Sequence, residues 1–398
     1  MNAHAMPSIR FLKQSQLGED SCHSLLISLL RGLAAIEVAA AHLRNEFFPG
    51  LRTLEHPALW YQALAFLTGF AHQAVVVFFL ISGWLVGGSL LNKLGQPQAM
   101  QLYAIDRVTR LWTVLIPTFM LILTAGMVSG AIDPRAPDFS PANAYSASAL
   151  AGNLFGLQTI LVPQFGGNYP LWSLANETWY YVMFPLLVLG VTGSSGARRA
   201  LAALTLLAVG LLLPGALVLY FSLWLLGAGF SRVRVDCGAP LRALLLALLA
   251  IASLVFRLKG SNDDMVFGSF PQDLLLSVLF LMFLSSTLHP VAPGHNLLAP
   301  LRRVAVFFSN FSFTLYVVHI PFLGIMGYLS MTLFGQRRLG ADSLAGLAAY
   351  VGLLALVLLF AYGFYRLFEA RTHALRRWLK NLLLGSGATL QRTARAKR

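Results

Sequence analysis

Along the 398 residues, long runs of apolar side chains alternate with short segments rich in Arg, Asp, Gly and Pro. The runs fall at roughly 24–44, 66–91, 108–130, 171–192, 199–214, 216–231, 240–257, 271–288, 305–332 and 343–368. Most approach the roughly 20 residues that an α-helix needs to cross about 30 Å of hydrocarbon. The pattern predicts an all-α fold, a polytopic transmembrane helix bundle of about ten spans over residues 24–368. A short segment, 1–23, precedes it and a basic tail, 369–398, follows, so the bundle is expected to act as a stand-alone membrane unit. The longest polar connection, Ala131 to Pro170, carries Asp133-Pro134-Arg135-Ala136-Pro137-Asp138 and a turn at Gly166-Gly167-Asn168. A loop of that length can cover a pocket.

Composition agrees with the pattern: 57% of residues are hydrophobic and 11% charged, against roughly 25% charged in an average soluble domain. The formal net charge of +14 would suit nucleic acid, but the distribution of the basic residues argues otherwise. Most of the 29 Lys and Arg residues lie in alternate loops: Arg10 and Lys13, then Lys93, Arg107 and Arg110, then Arg198 and Arg199, Arg232, Arg234 and Arg242, Arg302 and Arg303, and the tail from Arg366. The positive-inside rule then places both termini in the cytoplasm and requires an even number of spans. On this reading the tail faces anionic membrane lipid and no nucleic acid is bound. Cys22 and Cys237 both fall near cytoplasmic span ends, where a reducing compartment disfavours a disulfide; neither is assigned a redox or metal role, and no metal site is expected. Arg31 and Glu37 interrupt the first apolar segment and argue against a cleaved signal peptide.

Charged side chains inside a bilayer are costly unless paired or facing a wet cavity, so the few present are the first candidates for a site. Arg31 and His42 stand eleven residues apart in the first span. Eleven steps of 100° come within about 20° of a whole number of turns and rise about 16 Å, so the two side chains share one face near opposite membrane surfaces. Near neutral pH a His can take a proton from a hydroxyl, and an Arg offers a permanent cation to an anionic ligand. The competing reading is that Arg31 snorkels to the cytoplasmic surface and His42 rests at the interface.

The pair does not stand alone. The second span reads Phe78-Phe79-Leu80-Ile81-Ser82-Gly83, and Arg107-Val108-Thr109-Arg110 follows at the cytoplasmic start of the third. The fourth opens Leu171-Trp172-Ser173-Leu174-Ala175-Asn176-Glu177-Thr178-Trp179-Tyr180-Tyr181, and the ninth carries Ser312-Phe313-Thr314-Leu315-Tyr316-Val317-Val318-His319-Ile320-Pro321. Span ten ends with Tyr365 and Glu369. These segments, in this order, resemble the motifs of the acyltransferase-3 family of membrane acyltransferases, and the resemblance covers residues 31–369. Either Tyr180 or Tyr181 can stand at the family's motif tyrosine.

Each motif also has a physical reading of its own. Arg107 and Arg110, one turn apart at a cytoplasmic span end, are spaced to hold phosphate groups; the alternative is that they only satisfy the positive-inside rule. With Arg31 they would hold the nucleotide end of an acyl-CoA. Glu177 lies near the level of His42, so a His42–Glu177 pair in which the carboxylate raises the basicity of the imidazole is expected. Trp172, Tyr180 and Tyr181 are expected to line the pocket. Tyr316 and His319 are expected as helix-packing contacts or pocket lining, and Ser82 before Gly83 as a close helix contact rather than a nucleophile, since no base can be assigned to it.

The resemblance implies an O-acyltransferase of the bacterial inner membrane. Acetyl-CoA, or another acyl-CoA, would be the donor substrate, with no tightly bound cofactor. The acceptor would be a polysaccharide, a lipid-linked glycan or another envelope carbohydrate, and His42 the general base. The alternative is a proton-coupled transporter or flippase of a glycan precursor with the same polar residues in a relay. The sequence shows no internal repeat and no pair of Gly/Pro-broken spans to support that alternative. A non-catalytic scaffold would leave the polar residues of the motif-bearing spans unexplained.

Overall fold

A computed structural model describes residues 7–15, 22–132, 140, 142–260, 265–288 and 299–384. The Asp133–Asp138 stretch of the long loop and the tail beyond Leu384 lie outside the described residues. A strand, β1 (Ser8–Phe11), precedes a long first helix, α1 (Cys22–Phe47). The second apolar run divides into α2 (Leu59–Leu67), α3 (Ala71–Ser82), a π-helical turn at Gly83–Gly87, and α4 (Gly88–Asn92). Then come α5 (Ala99–Val128), the loop helix α6 (Ala147–Leu154), α7 (Leu171–Thr192), α8 (Gly196–Leu212) and α9 (Gly215–Phe230). Strand β2 (Val233–Asp236) separates these from α10 (Ala239–Lys259), α11 (Phe270–Ser286), α12 (Ala299–Asn310), α13 (Ser312–Phe334), α14 (Leu344–Leu367) and α15 (Thr372–Leu384).

The all-α expectation holds, apart from one two-stranded antiparallel ribbon in which Ser8 pairs with Asp236 and Phe11 with Val233. Six helical stretches among the described residues are long and apolar enough to cross a membrane, and α9 and α11 are shorter apolar helices. Two expected spans are interrupted. The second begins at Ala71, where the Phe70 N–H at the helix start donates to Glu37 Oε1 (2.8 Å). This bond satisfies one of the orphan donors of a helix N-terminus and accounts for an acid inside the first apolar segment. The ninth is split at Phe311 between α12 and α13.

Many leucines of α8 and α10 are exposed, and α10 buries no residue. In a bilayer such surfaces meet acyl chains rather than water. The interior is built from large aromatics: Trp84, Trp224, Tyr180 and Tyr220 are almost wholly buried. A carboxylate buried among these helices needs partners, as hydrocarbon demands. Asp273 accepts from the Tyr220 hydroxyl (2.6 Å) and contacts His72 Nε2 at 2.9 Å, tying α11 to α9 and α3.

The N-terminal ribbon and the C-terminal helix share one end of the bundle. The Ser15 amide donates to Asn92 Oδ1 (2.9 Å), and the neighbouring Lys93 approaches Asp106 at the start of α5 (3.6 Å). Asp106 in turn meets Lys380 of α15 at 2.6 Å. At the opposite end Glu46 pairs with Arg337, and the Leu339 amide donates to the Phe47 carbonyl (2.7 Å). Helices α1 and α13 run side by side in the same direction, since Arg31 meets Ser312 and, further along both, His42 meets His319.

Where α3 enters its π-turn it touches α9 backbone to backbone: a Cβ on Gly83 would lie 2.0 Å from the Trp224 carbonyl oxygen, and one on Gly227 would lie 2.2 Å from that of Leu80. Glycine at both positions permits this crossing. Gly83→Ala is therefore expected to lower the thermal unfolding midpoint in detergent, at a cost of about 1–3 kcal/mol. Gly363→Ala, whose Cβ would meet nothing within 4 Å, serves as the comparison, and equal midpoints for the two variants would contradict the assigned crossing.

Candidate active site

Helices α1, α3, α5, α7 and α13 converge on a cavity of about 230 Å³. Its polar lining comprises Arg31, Ser82, Arg107, Arg110, Ser173, Glu177, Tyr181, Ser312 and Tyr316, and Phe78, Phe79, Leu85 and Phe313 are among its apolar walls. Ser312, Phe313 and Tyr316 of α13 line it, and His319 follows Tyr316 by one turn.

The three arginines gather at one part of the cavity but differ in their partners. Arg31 does not reach for the surface; its Nη2 donates to Ser312 Oγ (3.3 Å). Arg110 is ion-paired to Glu369 (2.8 Å) and lies over the Phe313 ring. Glu369, 4% exposed, also accepts from the Thr314 amide (3.2 Å) and hydroxyl (2.5 Å), so the acid that ends span ten locks the turn after α14 onto α13. Arg107 makes no ion pair among the described residues. Its guanidinium stands over the rings of Tyr103 and Tyr181, and its Nε is buried without a hydrogen-bond partner. The expected pair of equivalent phosphate ligands therefore consists of one neutralised arginine and one available for an anion.

Beside Arg107, the Tyr181 hydroxyl donates to Glu177 Oε1. Ser82 Oγ donates to the same oxygen (2.6 Å) and receives a hydrogen bond from Trp224 Nε1 (3.1 Å). Ser82 therefore does have a carboxylate acceptor, contrary to the expectation that no base could be assigned to it. The helix contact expected beside it is real and is made by Gly83. Tyr181, and not Tyr180, stands at the cavity. The Tyr180 ring packs against Phe79, Phe221 and Trp224, and its hydroxyl donates to the Leu217 carbonyl (3.2 Å). Trp172 packs against the core outside the cavity lining.

The expected His42–Glu177 pair does not form. His42 Nδ1 lies 2.8 Å from His319 Nε2, with the rings stacked at 17° and 5.1 Å between centroids. His319 is thus a direct partner of His42 rather than a packing contact. Its Nδ1 is 3.0 Å from the Leu315 carbonyl, and a carbonyl only accepts, so Nδ1 carries the hydrogen. In the neutral ring Nε2 is then an acceptor, and His42 Nδ1 donates to it. The arrangement leaves the lone pair of His42 on Nε2.

The end of the long loop closes over this pair. The Tyr169 ring meets His42 edge-on at 4.9 Å, Asn168 Nδ2 donates to the Val317 carbonyl (2.9 Å), and the Tyr316 hydroxyl lies 2.6 Å from Ser173 Oγ. Tyr316 both lines the cavity and lies against His319, with 6.1 Å between ring centroids, so it forms the wall between the cavity and the two histidines.

Sequence reasoning missed His319 as the partner of His42, Trp224 as a donor to Ser82, Glu369 as the partner of Arg110, and the position of Tyr169. The spacing of Tyr316 and His319 on one helical face was the available signal for the first; the others follow from contacts between helices distant in sequence.

A model of the acyltransferase domain family matches residues 26–366. No curated protein and no solved structure matches the chain. The match covers most of the chain, and every motif described above lies inside it except Glu369. The chain belongs to the acyltransferase-3 family and is a membrane acyltransferase.

Proposed function

We propose that this chain transfers an acyl group, most simply acetyl, from cytoplasmic acyl-CoA to a hydroxyl of an envelope or exported carbohydrate at the bacterial inner membrane. The observation that carries the reading is the hydrogen-bonded series His42–His319–Leu315, which leaves a basic Nε2 at the opposite end of α1 from Arg31 and its neighbours Arg107 and Arg110. On this reading ten spans with both termini in the cytoplasm put the arginines on the inner side. The shared end of the N-terminal ribbon and α15 agrees with that orientation.

Arg107 takes the pyrophosphate of the donor, because Arg110 is paired to Glu369 and Arg31 is bonded to Ser312 whereas Arg107 has a buried Nε without a hydrogen-bond partner, and a guanidinium holds phosphate through paired hydrogen bonds. The pantetheine arm occupies the cavity, and the thioester reaches Tyr316. The acceptor hydroxyl enters under the Tyr169 loop and gives its proton to His42 Nε2. Its oxygen attacks the thioester carbonyl carbon, the C–S bond breaks, and the CoA sulfur leaves and takes up a proton. His319 orients His42 and stabilises the imidazolium as it forms, the role that a hydrogen-bonded partner plays for a catalytic histidine. Membership in an acyltransferase family favours this chemistry over transport by the same residues.

A second reading is favoured by one observation, the 2.6 Å hydrogen bond from Ser82 Oγ to Glu177 in the cavity wall. A hydroxyl with a carboxylate base can be acylated by the donor, and an acyl-Ser82 would then pass its group to the acceptor in a second step.

Membranes expressing His42→Ala at matched levels are expected to incorporate labelled acetyl into carbohydrate about 10²–10⁴-fold more slowly than wild type. His319→Ala should lower kcat by about 10–100-fold with little change in the KM for acetyl-CoA, whereas Arg107→Ala should chiefly raise that KM. Full activity in His42→Ala would remove the base assignment. Direct transfer and the acyl-serine route separate when purified protein is mixed with labelled acetyl-CoA and no acceptor. Direct transfer leaves the chain unlabelled, whereas label that appears on wild type and disappears in Ser82→Ala would replace it with the two-step route.

A further inference from the structure

Off the cavity wall, one turn from Arg110 toward the start of α5, Asp106 collects basic residues from two other elements. Lys380 Nζ lies 2.6 Å from its carboxylate, Arg376 Nε 3.3 Å and Lys93 Nζ 3.6 Å. Arg376 and Lys380 are one turn apart on α15, and Arg376 is also within electrostatic reach of Arg107 and Arg110. The cluster is thus continuous with the cavity arginines. Asp106 and Glu369 are set against Lys93, Arg107, Arg110, Arg376 and Lys380, so positive charge is in excess in this cluster. Like charges held this close repel, and an anion that joins them relieves the repulsion. The side chains of Arg376 and Lys380 are 21% and 23% exposed, so the cluster is reachable from the bundle end.

We propose that Arg376 and Lys380 of the C-terminal helix bind the 3′-phosphate of the donor's adenosine. The inference rests on the acyl-CoA reading above and extends it to a residue pair outside the cavity. The order of the groups carries it. From the cavity outward the protein presents the thioester region, then Arg107, then the α15 pair; an acyl-CoA presents its thioester, its pyrophosphate and then its 3′-phosphate. Asp106 holds the two basic side chains in place before the donor arrives and shares them afterwards. A phosphate dianion has more charge and more acceptor oxygens than the carboxylate, so it competes for the same donors. Through this contact α15 becomes a specificity element that selects CoA over donors lacking the 3′-phosphate.

The test compares the Kd of CoA with that of 3′-dephospho-CoA on the full chain in nanodiscs. Because each protein serves as its own reference, the ratio of the two constants is insensitive to a partly inactive sample. Wild type is expected to bind CoA about tenfold or more tightly than 3′-dephospho-CoA. The double variant Arg376→Gln, Lys380→Gln should bring the ratio near one by weakening CoA alone, and Arg376→Lys, Lys380→Arg should restore much of the preference. A wild-type ratio near one, or a preference that survives the double Gln variant, would overturn the α15 site while leaving the acyl-CoA reading in place. Binding of neither ligand by wild type would overturn both.

Discussion

Helices α1 and α13 are held in register by two polar contacts within the bundle, Arg31 with Ser312 and His42 with His319. Hydrocarbon offers these groups no other partner, so the contacts fix both rotation and axial position. The residues rise by about 16 Å along α1 and by about 10 Å along α13 between the two contacts, and the length of the Arg side chain spans the difference. The rest of the site depends on this seam. It aims Arg31 into the cavity beside Arg107 and Arg110, turns the Nε2 lone pair of His42 away from α13, and puts Tyr316 between the two regions.

Much of this was legible in the sequence. Apolar runs located the helices, because a segment in lipid must satisfy its backbone internally and bury or expose apolar side chains along its whole length. The eleven-residue spacing of Arg31 and His42 placed them on one face, and both do face the site region. The same arithmetic failed for His42 and Glu177. Position along a span gives depth in the bilayer but not direction around the bundle. Glu177 is at a plausible depth, yet it faces Ser82 and Tyr181 across α3 and α7, while His42 faces α13. For the same reason Tyr180 and Tyr181 could not be told apart before the helix rotation was known.

Helix ends were less legible than helices. The break before α3 depends on Glu37, which lies thirty-three residues earlier and accepts from Phe70. The role of Glu369 depends on Arg110, on a different helix. Neither has a local signature. Both are acids that a bilayer tolerates because a partner across the bundle satisfies them. The ion pair also shows that an Arg-x-x-Arg spacing does not give two arginines in equal surroundings, since among the described residues Arg110 is paired to an acid and Arg107 is not.

The central claim is that donor and acceptor meet the protein from opposite faces of the membrane, with the arginines on one side and the His42 base on the other. Proteoliposomes with a single protein orientation test it most directly, with labelled acetyl-CoA supplied outside and a carbohydrate acceptor sealed inside, and with the compartments exchanged. The account predicts labelled carbohydrate when acetyl-CoA is on the side of the chain termini and the acceptor is on the other. Product formed only when both substrates share one compartment would contradict it.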